Sequence, residues 1–340
     1  MIQKKNLIII NKEKIFQNEG NFYCDNIDMK TIPEELDKIF NTTFIATNSK
    51  IERSHKINLK NIKITSNLFN LFLNIFKTFK VKEANYLLIS ITPYTFFAYL
   101  FLFLFRKRTF VYLRSNGYEE YKAILGIFGP LIYYIMHKTV IFKSTIISCH
   151  KRLVKNKKYN LVYPSEIDES WIKETNKPLL DKPKLLYVGR IKIEKGILSL
   201  LKILKNVKSD ISLSISGKDE GNIIIDDEKV DILGLENNKQ KLIKLYDDHN
   251  ITILPSFTEA HPKVVDESLA RCRPVIIFEE IDYIIQNKHG IFVSKRETKY
   301  LIETINYIIK NYSAIQEKMK KNKLPKKENF ISDLTKILTS

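Results

Sequence analysis

A chain of 340 residues is longer than one hydrophobic core usually serves, so about two domains are expected. With 44% hydrophobic and 28% charged residues the composition excludes a disordered or fibrous chain, and three widely spaced cysteines (Cys24, Cys149, Cys272) argue against a disulfide framework and for a reducing cytoplasm. The net charge of +18 is lopsided: residues 1–165 hold 26 Lys and Arg against 11 Asp and Glu, residues 166–340 hold 30 against 27.

A basic first half draws anionic partners, whether a membrane surface, a nucleic acid or an acidic acceptor; a lysine-rich background composition gives the same number. The opening MIQKKNLIIINKEK has an apolar run of only four residues and no cleavage pattern, so it reads as a first strand over 6–10 and not as a signal peptide. A polar loop with a single glycine, Gly20, follows, then a short helix over 33–40 and strands over 43–46 and 61–64. Residues 67–82 set Leu68, Leu71, Phe72, Ile75, Phe76 and Phe79 at helical spacing, a stripe that belongs in a core.

A strand over 86–91 leads to a nearly all-apolar helix over 93–105 that ends at Arg106, Lys107 and Arg108. It and the apolar segment 123–136, interrupted by Gly129 and Pro130, are too short to span a bilayer, which takes about 20 residues. Both fit a buried helix layer, and both fit monotopic attachment to an anionic membrane face. Strands over 110–113 and 145–148 complete this half; Arg114 follows the first of them and the basic stretch KRLVKNKKYN the second.

The polar segment SEIDESWIKETNKPLLDKP, with its two prolines, suits a hinge. The expected organisation is therefore a first domain over 1–165, a linker over 166–183, a second domain over 184–322, and a basic segment with a last helix over 323–340. The second domain alternates strand 184–188, helix 196–206, strand 211–216, strand 230–233, helix 239–246 and strand 251–254, the rhythm of an open parallel sheet. Helical segments over 299–311 and 313–319 and a short one from Ile331 close the chain.

Two stretches of this domain carry chemistry. In KLLYVGRIKIEKGILSL a strand ends at Gly189 and Arg190, and Lys195 and Gly196 stand at a helix start. In NITILPSFTEAHPKVVDESLARCRPVII a strand is followed by a loop with Glu259, a helix opened by Pro262 that carries Glu267, and a strand from Pro274. Ligands of open α/β sheets collect at the carboxyl ends of the strands, which directs Arg190, Lys195 and Glu259 to one crevice. Two cations there neutralise a diphosphate, the unpaired N–H groups of a helix start bind phosphate, and carboxylates accept from hydroxyl groups. A nucleoside diphosphate linked to a sugar offers all of these partners.

The VGRIKIEKG and LPSFTEAHPKVVDE motifs, with the LARCRPVII continuation, resemble the nucleotide-sugar domain of the retaining family-4, or group 1, glycosyltransferases over about 184–293. The resemblance implies an α/β chain of the GT-B fold, two Rossmann-like domains facing each other across a cleft, and transfer from a nucleotide-diphosphate-sugar without a metal or other cofactor. It implies that Arg190 and Lys195 bind the donor diphosphate, that Glu259 contacts the sugar and Glu267 the ribose, and that Gly189, His261, Pro262, Lys263 and Val264 line the same donor site. Gly217, Lys218 and Leu233 become candidates for the base pocket. Where relatives have a glycine-rich loop this chain has only Gly20 and Asn21, and where many have a histidine it has Arg114; these three are the acceptor-side or sugar-side candidates. The implied acceptor is a glycan or lipid-linked saccharide of cell-surface polysaccharide or lipopolysaccharide synthesis, met in the cytoplasm or at the inner face of its membrane.

Three rival readings keep parts of this pattern. A non-catalytic binder of nucleotide sugars or polyanions would keep the second-domain motifs, and a nucleic-acid binder would explain the charge, although no reading module is recognisable. A dinucleotide oxidoreductase fits the sheet but needs a G-x-G-x-x-G after a strand, and none is present.

Overall fold

The computed structural model describes residues 4–154, 157–173, 182–207, 210–218 and 228–340. The chain forms two compact units, Met1–Pro164 with Glu328–Ser340, and Ser165–Lys327.

Unit 1 contains β1 (Asn6–Asn18), β2 (Asn21–Cys24), α1 (Ile27–Asp37), β3 (Asn41–Asn48), β4 (His55–Ile57), β5 (Ile62–Thr65), α2 (Leu68–Thr78), β6 (Ala84–Ile89), α3 (Pro93–Leu104), β7 (Thr109–Leu113), α4 (Gly117–Leu125), α5 (Gly129–Ile141), β8 (Thr145–Ser148) and β9 (Asn160–Leu161). Seven of these strands run parallel in the order β5-β3-β1-β6-β7-β8-β9, and β2 and β4 pair antiparallel at the far end of β1. The central strands β1, β6 and β7 carry continuous apolar runs, as a sheet covered on both faces requires. Leu71, Ile75, Ala98, Leu102, Met136 and Val140 of α2, α3 and α5 form the core on one face with Ile8, Ile10, Leu88 and Val111.

The first strand departs from expectation. The reading of a short strand and a polar loop is corrected: β1 shifts register between Ile10 and Lys14 and continues to Asn18, where it pairs antiparallel with β2. Glu19 and Gly20 both take positive φ, 47° and 76°, the two-residue turn that fits the twist of a hairpin. The apolar segment at 123–136 also differs. It is two helices, because the chain leaves α4 at Gly126 and turns through a 3-10 segment, Gly126–Phe128, before α5.

Unit 2 contains α6 (Glu169–Ile172), β10 (Lys184–Val188), α7 (Ile197–Lys205), β11 (Ser212–Ser216), β12 (Val230–Gly234), α8 (Lys239–Asp248), β13 (Ile251–Leu254), α9 (Lys263–Ala270), β14 (Val275–Phe278), β15 (Ile291–Ser294), α10 (Thr298–Lys310) and α11 (Tyr312–Met319). All its strands are parallel, in the order β12-β11-β10-β13-β14-β15. The order reverses direction between β10 and β13, which makes their carboxyl ends the switch point of the sheet. The last helix, α12 (Lys327–Thr339), belongs to unit 1, where Phe330 meets Tyr112 and Asn85 donates 2.7 Å to the carbonyl of Leu338.

The segment read as a hinge is partly structural in unit 2. Ile167 and Trp171 are buried, and Trp171 stacks edge-on against Tyr246 at 5.7 Å; residues 174–181 of that segment lie outside the described residues. Two arginines of the LARCRP stretch hold it. Arg271 grips Asp247 with two hydrogen bonds of 2.9 and 2.7 Å and donates to the carbonyls of Trp171 and Lys173, while Arg273 donates to those of Tyr246, Asp247, His249 and Arg271. Both guanidinium groups are buried, and this many partners is what makes a buried cation tolerable.

Candidate active site

The predicted site residues of unit 2 lie at the carboxyl ends of its strands, in loops that are bonded to one another. After β10, Gly189 donates to the carbonyl of Ser216 at 2.9 Å and Ile191 to that of Lys218 at 3.0 Å. After β11, Gly217 donates to the carbonyl of Gly234 at 2.9 Å, which ties in the end of β12 beside Leu233. The fit leaves no room for a side chain: a Cβ at Gly217 would stand 1.7 Å from the oxygen of Gly189. Gly196, left-handed at φ +72°, is equally confined, with the carbonyl oxygen of Pro255 1.9 Å from where its Cβ would be. Only glycine lets the loops after β10, β11 and β13 approach this closely.

Lys195 and Glu259, 64 residues apart in the chain, meet at this junction. The ammonium lies 2.5 Å from Oε1 of the carboxylate, and both side chains are mostly buried. Ser256 donates to the same oxygen at 2.7 Å. The hydroxyl of Tyr283 donates to the carbonyl of Glu259 at 2.6 Å and accepts from its N–H at 3.2 Å, so the residue is held at both ends. Phe257 donates its N–H to the carbonyl of Glu194 at 3.1 Å, which joins the Glu259 loop to the turn before Lys195. Arg296, after β15, lies over the rings of Phe257 and Phe278 at 4.3 Å and donates to the carbonyl of Pro255 at 3.1 Å. Arg190 is exposed on this side, and the hydroxyl of Tyr187 donates 2.7 Å to its carbonyl.

The start of α9 is open. Its N-cap is Pro262 and no side chain caps it, so the positive end of the helix dipole is directed to this end of the sheet. Glu267, on the next turn, is buried and accepts from the Tyr246 hydroxyl at 2.8 Å. Burial pushes its carboxyl up from the ordinary glutamate range; Lys263 and the Tyr246 hydrogen bond oppose this, and Asp266 adds to it.

Several candidates take different places. The side chain of His261 is buried with Nε2 3.0 Å from Oδ2 of Asp266, whose Oδ1 meets Lys288 at 2.6 Å. In unit 1, Arg114 forms a buried ion pair with Asp28 in the first turn of α1. Gly20 and Asn21 belong to the turn and strand of the β1–β2 hairpin, about 16 Å of extended chain beyond Ile15, the last residue of β1 in the parallel pairing. The strand-end position that the chain fills instead is Asn11, which donates 2.6 Å to the carbonyl of Ile89, followed by Glu13, whose Oε1 accepts from Asp25 and Asn26 at 3.1 and 3.2 Å. Sequence reading missed Tyr246 and Tyr283, whose only signal is a contact made across the fold, and Ser256 and Asp266, which make local contacts to Glu259 and His261 within the LPSFTEAHPKVVDE stretch.

Residues 168–324 match the glycosyl transferases group 1 family. Three solved structures are similar over nearly the whole chain. Sucrose-phosphate synthase from Thermosynechococcus elongatus has 14% identity, a TM-score of 0.70, and coverage of 99% of this chain and 98% of its own. Anabaena Alr3699/HepE, solved with UDP and glucose, has 11% identity, a TM-score of 0.70, and coverage of 99% and 100%. WaaG, a glycosyltransferase involved in lipopolysaccharide biosynthesis, has 11% identity, a TM-score of 0.66, and coverage of 98% and 100%. No curated protein matches the chain. Two parallel-rich α/β sheets, the switch-point site and the match over residues 168–324 together identify a glycosyl transferases group 1 domain in a chain of GT-B fold.

Proposed function

We propose that the protein is a retaining, metal-independent hexosyltransferase of the cytoplasm. It moves a sugar from a nucleotide-diphosphate-sugar to a hydroxyl of a glycan or lipid-linked saccharide in cell-surface polysaccharide synthesis. The observation that carries the reading is the Lys195–Glu259 pair at the β10/β13 switch point, in the loop that leads to the start of α9.

In this reading Arg190 and Lys195 face the diphosphate, and the N–H groups of Lys263 and Val264 after Pro262 add donors. As the bond from the anomeric carbon to the phosphate oxygen breaks, its electron pair stays on that oxygen, where these groups stabilise it. Glu259 accepts from the hydroxyls of the sugar and Oε1 of Glu267 from those of the ribose, Oε2 being occupied by Tyr246. The base rests against backbone groups of Gly189, Gly217, Lys218 and Leu233. The acceptor oxygen bonds to the anomeric carbon on the face the phosphate leaves, and its proton passes to the departing phosphate oxygen. Lipopolysaccharide synthesis is one setting, by analogy with WaaG.

A thermal-shift screen against nucleoside diphosphates and their sugar conjugates, with UDP sugars first, tests this, followed by a transfer assay with each stabilising donor. The expected result is stabilisation by one donor class that shrinks in both Lys195→Ala and Glu267→Ala. Equal responses in parent and variants would misplace the site. Binding without turnover, on any acceptor tried, would favour the second reading, a non-catalytic nucleotide-sugar or polyanion binder.

A further inference from the structure

Unit 1 carries an apolar face that its own core does not use. A helix laid on a sheet normally buries one stripe and hydrates the other. In the layer made by α2, α3, α4 and α5, where α3 packs on α2 and α5, and α4 on α5, the outward side is apolar as well. Phe69, Phe76, Leu104, Ile124, Ile127 and Phe128 are 52–83% exposed. Monomeric proteins rarely leave so large a continuous patch in water.

The α4–α5 hairpin is the densest part. By count its 25 residues from Gly117 to Ile141 are enough for a membrane span. The geometry excludes one: the segment breaks at Gly126–Phe128 into helices of 9 and 13 residues, and the longer, at ~20 Å, falls short of the ~30 Å of hydrocarbon. An edge-on contact of Tyr118 with Tyr133, centroids 4.8 Å apart, holds the two helices together. The break between them places Ile124, Ile127 and Phe128 at the tip.

Three lysines accompany this apolar surface. Lys122, Lys138 and Lys143 are exposed on or directly after the hairpin, and Lys138 reaches within 5.5 Å of the Tyr134 ring. The acids Glu119 and Glu120 lie in the first turn of α4, at the same end of the hairpin as Lys138 and Lys143, while Lys122 lies nearer the tip. Two copies of the chain meeting on this face would bring together two first halves that each hold 26 Lys and Arg against 11 Asp and Glu, whereas an anionic head-group layer above acyl chains matches both that charge and the apolar tip.

We propose that the α4–α5 hairpin, with the adjoining outer faces of α2 and α3, docks onto an anionic lipid bilayer. Ile127 and Phe128 enter the acyl boundary while Lys122, Lys138 and Lys143 meet the head groups. The proposal stands on unit 1 and is independent of the donor chemistry assigned to unit 2.

The test is co-sedimentation of the full chain with phosphatidylcholine vesicles, pure or with about 30 mol% phosphatidylglycerol. Uptake is expected on the anionic vesicles only, falling at least ~10-fold in Ile127→Glu with Phe128→Glu and several-fold in Lys138→Ser with Lys143→Ser. Donor-induced thermal stabilisation should be the same in both double variants as in the parent, which separates this proposal from the reading of unit 2. Phe128→Trp supplies a second readout, because the one natural tryptophan, Trp171, is buried; its emission should shift to the blue on the same vesicles. Uptake that survives Ile127→Glu with Phe128→Glu would make the contact purely electrostatic and overturn the proposal. So would a concentration-dependent dimer, lost in that variant, without vesicle uptake.

Discussion

The ammonium of Lys195 stands 2.5 Å from Oε1 of Glu259, so each group is the other's counter-ion. A diphosphate arriving at Lys195 must compete with that carboxylate. Removing the two residues should therefore have opposite effects on ground-state binding. Lys195→Ala is expected to weaken nucleoside-diphosphate binding about 10- to 100-fold, the worth of a charge-assisted hydrogen bond. Glu259→Gln should leave that binding unchanged or tighten it, while the transfer rate falls ~100-fold because the sugar loses its acceptor. Titration calorimetry with the diphosphate, alongside kcat, checks both, and a loss of diphosphate affinity in Glu259→Gln equal to that in Lys195→Ala would show a merely structural pair.

Tyr283 positions Glu259 without reaching it in sequence: its hydroxyl spans the N–H and the carbonyl of a residue 24 positions earlier. Tyr283→Phe keeps the ring and removes both bonds. The loop with Glu259 then loses its anchor, and the expected result is a kcat lower by about 10-fold with donor affinity nearly unchanged, at a stability cost of about 1 kcal/mol. Steady-state kinetics with donor varied at saturating acceptor reads the split. An equal loss in affinity would place Tyr283 in the donor pocket itself.

The second sheet was legible because its strands are apolar runs and its helices carry clear periodicity, so that β10 and β13 coincide with the predicted 184–188 and 251–254. Strand-end logic directs Lys195 and Glu259 to one crevice, but it does not predict the ion pair between them. What the sequence hid was of two kinds. Short strands such as β2, β4 and β9 have only two to four residues, too few for a periodic signal. Partners such as Tyr246 and Tyr283 act across the fold, and nothing in their local sequence marks them. Arg271 and Arg273 gave a usable hint, since two cations between an apolar helix and an apolar strand must be paired if buried.

That pairing makes Arg271 the more sensitive of the two to a conservative change. Lysine keeps the charge but cannot span both oxygens of Asp247 while also donating to the carbonyls of Trp171 and Lys173. Arg271→Lys is expected to destabilise unit 2 by about 2–4 kcal/mol, leaving buried acceptors without donors. Trp171 is the sole tryptophan and receives one of these bonds on its own carbonyl, so its fluorescence during urea unfolding is a direct readout. A shift of the midpoint without a change in slope is the expected form.

The buried carboxylate of Asp266 gives the fold a dependence on acid that can be isolated. Burial alone would push its pKa up, but His261 at 3.0 Å and Lys288 at 2.6 Å outweigh this and hold it below the ordinary 3.8. A carboxyl that is more acidic folded than unfolded contributes its full stability above the unfolded value and loses it as pH falls through the lowered folded value. Asp266→Asn should thus cost about 2–4 kcal/mol near neutral pH, where Lys288 loses its counter-ion in a mostly buried site. The difference between parent and variant should stay constant down to about pH 4 and narrow below it. Urea unfolding of both proteins across that range measures the difference directly, and a gap that does not change with pH would mean that the carboxyl ionises equally in the folded and unfolded chain.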